Sequence, residues 1–139
     1  VNFDTFLTNL QALQNAIEID SPVELNVKRS YWGPPPDVIT DLPCFANALS
    51  EPDRTLGFGS VEQHLRVNVQ LFAAPATIED TRSARIVTAF WFAAKAAFDA
   101  DETIGGSVEF STLRGGDPTV PVILTHAGKA YFGFNAYLD

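Results

Sequence analysis

Few residues of this 139-residue chain are of the types that do chemistry, and their spacing brings little together. His64 lies in a run that alternates apolar and polar residues, and His126 stands beside Ala127-Gly128 in a turn-like stretch. No H-E-x-x-H, C-x-x-C or aspartate-rich loop occurs, so no metal-ligand set is legible. Cys44 is the single cysteine and sits between Pro43 and Phe45. A thiol becomes a nucleophile only beside an activating base or positive charge; this setting reads instead as a small buried hydrophobe. The carboxylates Glu79-Asp80 and Asp99-Asp101-Glu102 fall at expected helix ends, where the helix dipole and solvation account for them without an acid/base pair. Gly57, Gly59, Gly105, Gly106, Gly115 and Gly116 match neither phosphate-binding pattern and read as turn glycines. Tyr31, Trp32, Tyr131 and Tyr137 have the rings to stack on bases, yet only Lys28-Arg29 cluster positive charge beside them. The chain therefore reads as a protein without catalysis, cofactor or metal.

The elements that would position these residues follow from apolar periodicity. Phe3, Phe6, Leu7, Leu10, Leu13 and Ile17 recur at three- and four-residue steps behind Asn2, a possible N-cap, which predicts an amphipathic helix ending before Ser21-Pro22. Val23, Leu25 and Val27 alternate with polar residues and predict a strand that Tyr31-Trp32 carry into Gly33-Pro34-Pro35-Pro36, an extended connector. Residues 37–49 read as a broken strand, and residues 50–60 as a mobile hairpin tip rich in glycine. Alternation is cleanest from Glu62 to Ala73, with Leu65, Val67, Val69 and Leu71 inward. A second helix is expected from Thr77 to Phe98, opened by capping-box-like spacing over Thr77 to Asp80. Its buried arc holds Ile86, Val87, Phe90, Ala94, Ala97 and Phe98, with Trp91 at the margin, while Phe92 and Arg85 point outward. Strands are expected over Ser107–Leu113, Val120–Thr125 and Ala130–Leu138, with Arg114-Gly115-Gly116-Asp117-Pro118 and His126-Ala127-Gly128-Lys129 as turns. The result is one α+β domain over residues 1–139, with two amphipathic helices packed on one face of a largely antiparallel sheet.

Composition narrows the partners. Nine Lys and Arg against seventeen Asp and Glu give a net charge of −8 and a pI near 4.5, which removes the electrostatic route to nucleic acid or an acidic membrane. No apolar run approaches the roughly 20 residues of a membrane span, and no basic region precedes an apolar stretch at the amino terminus. With one cysteine and no glycosylation sequon, a cytoplasmic or virion-borne protein is expected. The features left over suit protein contacts: the three prolines, the polar tip, Phe92 on the outer helix face, and a last strand with Tyr131 and Tyr137 opposite its apolar side.

The layout resembles the tail terminator, or tail completion, proteins of long-tailed bacteriophages and related particles. The likeness is carried by the helix from Phe3 to Ile17 and by Tyr31-Trp32-Gly33-Pro34-Pro35-Pro36 leading to Asp41-Leu42-Pro43-Cys44-Phe45. The strand His64 to Phe72, the aromatic second helix and the closing strands extend it over most of the chain. It implies a hexameric ring at the head-proximal end of the tail tube, which stops tube polymerisation and docks to the head-side connector. Its partners would be further copies of itself, the tail tube protein and a connector or neck protein. Double-stranded DNA would pass through without specific binding. Assembly in the host cytoplasm and residence in the virion tail or neck follow. A ring needs two unlike patches on each subunit; Arg85 and Phe92 are expected in one, Tyr131 and Tyr137 in the other. Glu51, Asp53, Arg54, Phe58, Arg114 and Asp117 are expected in channel or docking loops. Head-closure and adaptor proteins share this size and location. The reading of another class is a small-molecule-binding domain or enzyme, with a pocket between the second helix and the sheet lined by Trp91, Phe98 and Phe134; a homodimeric regulatory module is a third.

Overall fold

The computed structural model of the chain describes residues 3–50, 53–57, 60–64, 66–76, 81–108, 110–115 and 120–139, with the backbone alone for 53–57 and 60–64. Helix α1 (Phe3–Asn15) buries Phe6 and Leu10, one turn apart, as its stripe requires. Ile17, just past its end, joins the same core. Asn2, the expected cap, lies outside the described residues. The alternating stretch after Pro22 does not become a full strand. Only Leu25–Asn26 (β2) pairs, antiparallel with Glu18–Ile19 (β1), and the main sheet begins at Arg29–Trp32 (β3).

Residues 37–49, ambiguous by pattern, resolve into a crossover and a strand. β3 lies parallel to β4 (Cys44–Leu49), and parallel neighbours cannot be joined by a tight turn. Residues 33–43, with the three prolines, make the connection and lay Ile39 and Leu42 on one face of the sheet. From β4 the chain runs out through β5 (Asp53–Gly57) and returns through β6 (Ser60–His64) into β7 (Val67–Pro75). The unbroken strand expected from Glu62 to Ala73 is thus two strands, because the β5–β6 pair is out of register with the β4–β7 pair. Between the pairs Leu49↔Val67 and Asp53↔His64 the outgoing chain spends one residue more than the returning chain. Such an extra residue ends a regular ladder, and β5–β6 forms a separate two-stranded sheet.

Helix α2 (Thr81–Ala100) follows; Thr77 to Asp80, the expected capping box, lie outside the described residues. The segment expected as a strand over 107–113 is mostly turn and loop, and only β8 (Leu113–Gly115) pairs, so Arg114 stands in a strand and not in a turn. In the turn after α2, Ile104 takes a φ of 49° and buries its side chain completely, with its carbonyl accepting from Asn9 Nδ2 at 3.2 Å. β9 (Val122–His126) and β10 (Lys129–Leu138) form a hairpin whose two linking residues, Ala127 and Gly128, have φ of 50° and 77°. Paired positive φ values give a turn that matches the right-handed twist of the strands.

The six-stranded sheet has the order β3-β4-β7-β10, with β8 and β9 both on the outer edge of β10, and β3–β4 is its one parallel pair among the described residues. Along β10, two residues lie between Gly133, paired with Val122, and Ala136, paired with Gly115; six lie between those partners on the other side. Both helices pack on one face, as expected. Phe45, Val69, Leu71, Phe134, Ala136 and Leu138 from the sheet meet Phe6 and Leu10 of α1 and Ile86, Val87, Phe90, Ala94 and Phe98 of α2. Ala97 and Trp91, at the edges of the expected arc, are half-buried. Among the described residues no helix is long and apolar enough to cross a membrane. The chain exposes 8088 Å², above the roughly 7,000 Å² of a compact chain of this mass.

Candidate interaction surfaces

Among the described residues the groups that carry chemistry are not brought together. Cys44 is fully buried, and burial, assisted by the Asp41 carboxylate, pushes its thiol pKa up to about 12, the opposite of nucleophile activation. Tyr31 is raised by the same desolvation, reinforced by Cys44 and Asp41. His126 Nε2 lies 3.1 Å from the Pro36 carbonyl and its ring meets Phe72, so it is tied to the crossover. The side chain of His64 lies outside the described residues. No group of three His, Cys, Asp or Glu able to hold a metal occurs among the described residues. The pocket expected between α2 and the sheet is filled. Phe98 and Phe134 are at most 1% exposed, and Trp91 packs edge-on against Phe134 with ring centroids 5.1 Å apart. Tight packing of large aromatic groups closes the space a ligand would need.

One polar cluster lies inside the core, where sequence patterning missed it. Gln14 of α1, Ser30 of β3 and Asn47 of β4 are all buried. Gln14 Nε2 donates to Asn47 Oδ1 at 2.7 Å, Asn47 Nδ2 donates back to Gln14 Oε1 at 2.7 Å, and the Ser30 hydroxyl donates to the same Gln14 oxygen. Asn47 Nδ2 also reaches the Tyr31 carbonyl at 3.1 Å. Every side chain in the cluster has a partner, the condition for burying an amide without a large penalty. The cluster fixes α1 over the parallel β3–β4 edge. Its signal was available: Gln14 falls four residues after Leu10, on the apolar stripe itself.

The open face of the sheet divides in two. Near the start of β10 the crossover covers it, so Ile39 and Leu42 pack with Cys44, Phe72, Leu124 and Tyr131. Tyr131, expected at a subunit interface, is therefore only 4% exposed and belongs to this second core. Towards the end of β10 the face is bare. There Ala46, Gln70 and Asn135 form one cross-strand row and Ala48, Asn68 and Tyr137 the next. Gly33 and Pro34 wall the resulting groove of about 510 Å³. Gln70 Nε2 donates to Asn135 Oδ1 at 2.8 Å, and the Arg66 guanidinium lies 5.2 Å from the centroid of the Tyr137 ring. Asn68 Oδ1 is buried here without a hydrogen-bond donor among the described residues, an acceptor whose desolvation they leave uncompensated.

The other expected contact residues separate by location. Arg85 and Phe92 are exposed on the outer side of α2, Phe92 at 67%. Asp53 and Arg54 belong to β5, with side chains outside the described residues, and Glu51, Phe58 and Asp117 lie outside them altogether. Arg114 is exposed and its Nε lies 3.6 Å from the Asp139 carboxylate, which Arg66 also holds at 2.7 Å. Exposed pairs of this kind add little stability. In comparison with known proteins, no family model matches the chain, and neither a curated protein nor a solved structure is significantly similar to it.

Proposed function

We propose that the protein is a ring-forming structural subunit of a long-tailed phage or phage-like particle. In this reading it is a tail terminator that caps the head-proximal end of the tail tube, stops its polymerisation and docks to the head-side connector. The observation that supports this is the β5–β6 ribbon, which prolongs the β4–β7 hairpin yet pairs with no third strand among the described residues. A two-stranded ribbon is marginal by itself in water and needs a surface to lie on. A neighbouring copy offers one in the bare part of the sheet face beside Tyr137. There β4 and β10 flank β7, so the outer two strands lie about 10 Å apart and leave room for a ribbon across the groove. Ribbon and groove are unlike patches, and unlike patches joined head to tail generate a ring where the rotation between copies closes.

The net charge of −8 suits a lumen through which DNA slides without adhering. Absence of a convergent catalytic set among the described residues favours a structural role over the enzyme reading. The test is native mass measurement and negative-stain imaging, alone and with tubes assembled from a phage tail tube subunit. Six-fold rings seated on one tube end, with tube growth arrested, are the expected result. Rings that form but leave tubes growing would assign the protein to head closure or an adaptor position, and a species that never rings on tubes would remove the reading.

A further inference from the structure

The outer side of α2 carries charges in the order that its own dipole disfavours. Arg82 and Arg85 stand in its first two turns and Asp99 in its last, with Glu102 just beyond. No acidic residue occupies the first turn of the helix and no basic residue the last. Helix amino termini favour negative side chains and carboxyl termini positive ones; Glu79 and Asp80 precede the helix in sequence and suit its amino end, while Arg82, Arg85 and Asp99 run against the dipole. Lys95 Nζ partly answers Asp99 at 3.1 Å, while among the described residues nothing pairs with Arg85.

Position completes the pattern. Arg85 and Asp99 each stand seven residues from Phe92, two turns before and two turns after, so the three share one stripe of the helix. Ala89 and Ala96 lie beside that stripe between the large residues, and small residues let two helices approach closely. We propose that α2 pairs antiparallel with α2 of a second copy of this chain across a two-fold axis at Phe92. In that arrangement the rings of the two Phe92 residues meet at the centre. Arg85 of each copy then reaches Asp99 of the other, and each arginine lies at the carboxyl-terminal end of its partner helix. A self-matching patch makes a closed pair, so this contact is distinct from the ring contact and does not rest on it. It joins two free subunits or two rings back to back.

Cysteine cross-linking tests it directly. With helix axes 8–10 Å apart, Cα atoms at the axis come within the roughly 4.4–6.8 Å that a disulfide spans. Phe92→Cys introduces the one accessible thiol, since Cys44 is buried. Val38→Cys, at a position 62% exposed on the opposite face of the sheet, serves as the collision control. Under mild oxidation Phe92→Cys is expected to form covalent dimer at least about tenfold faster than Val38→Cys. In sedimentation equilibrium on the parent chain, Arg85→Asp and Asp99→Arg are each expected to weaken dimerisation about tenfold, the effect of losing both symmetry-related pairs, and the double exchange to restore it. Equal cross-linking of the two cysteine variants, or a double exchange no better than the singles, overturns the proposal. Rings seen with the cross-link absent would refute this contact alone, and the cross-link in a protein that never rings would refute the ring reading alone.

Discussion

Replacing Gln14 by leucine isolates what the buried amide cluster contributes. The amide of Gln14 donates one hydrogen bond to Asn47 and accepts from Asn47 and Ser30. In Gln14→Leu, Asn47 Oδ1 loses its donor and the Ser30 hydroxyl loses its acceptor, while Asn47 Nδ2 keeps the Tyr31 carbonyl. Two orphaned groups in a site as dry as this cost about 1–3 kcal/mol each. The added apolar surface of leucine returns about 1 kcal/mol, leaving a loss of about 3 kcal/mol. A domain of this length holds roughly 7–20 kcal/mol in all, so the variant still folds. Its Tm falls by about 12 °C at the roughly 4 °C per kcal/mol expected for this size. Urea titration with circular dichroism reads the change as a lower midpoint at constant slope. The triple variant Gln14→Leu, Ser30→Ala, Asn47→Leu removes all three polar side chains together and should cost less than the sum of its singles. A Gln14→Leu loss below 1 kcal/mol, or strict additivity in the triple, would show that water or a rearranged partner satisfies the cluster and refute the reasoning.

Excising residues 51–65 and joining Ser50 to Arg66 through Asn-Gly should leave the sheet intact, because the Ser50 N–H already donates to the Arg66 carbonyl at 2.7 Å in register with β4–β7. The expected outcome is an unchanged Tm with rings lost in negative stain; rings that persist would remove the ribbon from the contact. Gly133→Ala should be among the most damaging single substitutions, since a Cβ at that position would lie 1.8 Å from the Leu71 carbonyl oxygen across the β7–β10 bulge. Little folded protein, or a stability loss above about 3 kcal/mol, is expected by thermal melt. Cys44 should resist a disulfide reagent at pH 8 until the protein is unfolded. Because its pKa is raised on folding to about 12, the folded state holds the proton more tightly. The contribution of Cys44 to stability should therefore be constant below about pH 9 and fall from there towards pH 12, by at most about 1.4 kcal/mol per pH unit. Cys44→Ala should flatten that slope between pH 9 and 10.

Periodicity exposed the elements that bury one face against the helices, because there a single pattern decides burial. Val67, Val69 and Leu71 of β7, and Phe90, Ala94 and Phe98 of α2, are where their spacing puts them. It failed where two partners compete for the other face. Tyr131 and Tyr137 share the second face of β10, and nothing local tells that the crossover buries the first and leaves the second beside the groove. The same is true of β6 and β7, whose unbroken alternation conceals a one-residue change of register set by the opposite strand. The stretch from Ser107 to Leu113 alternates well enough for a strand, yet Ser107 and Ser111 spend their hydroxyls on the carbonyls of Ile104 and Glu102, turning the backbone away from the ladder. Of the surface residues, Phe92 and Arg85 were legible from the helix wheel alone. The groove was not, since Gln70, Asn68 and Asn135 come from strands that meet only in the fold.

The spacing of β8 and β9 along β10 has a practical side. Their partners run along one edge of β10 with four residues to spare between them, so the pair amounts to one edge strand carrying a four-residue insertion. Lineages of this protein should differ in length here more freely than anywhere in the sheet, because an outward insertion breaks no existing rung. The same point is the natural place to graft an epitope or a fluorophore-accepting peptide.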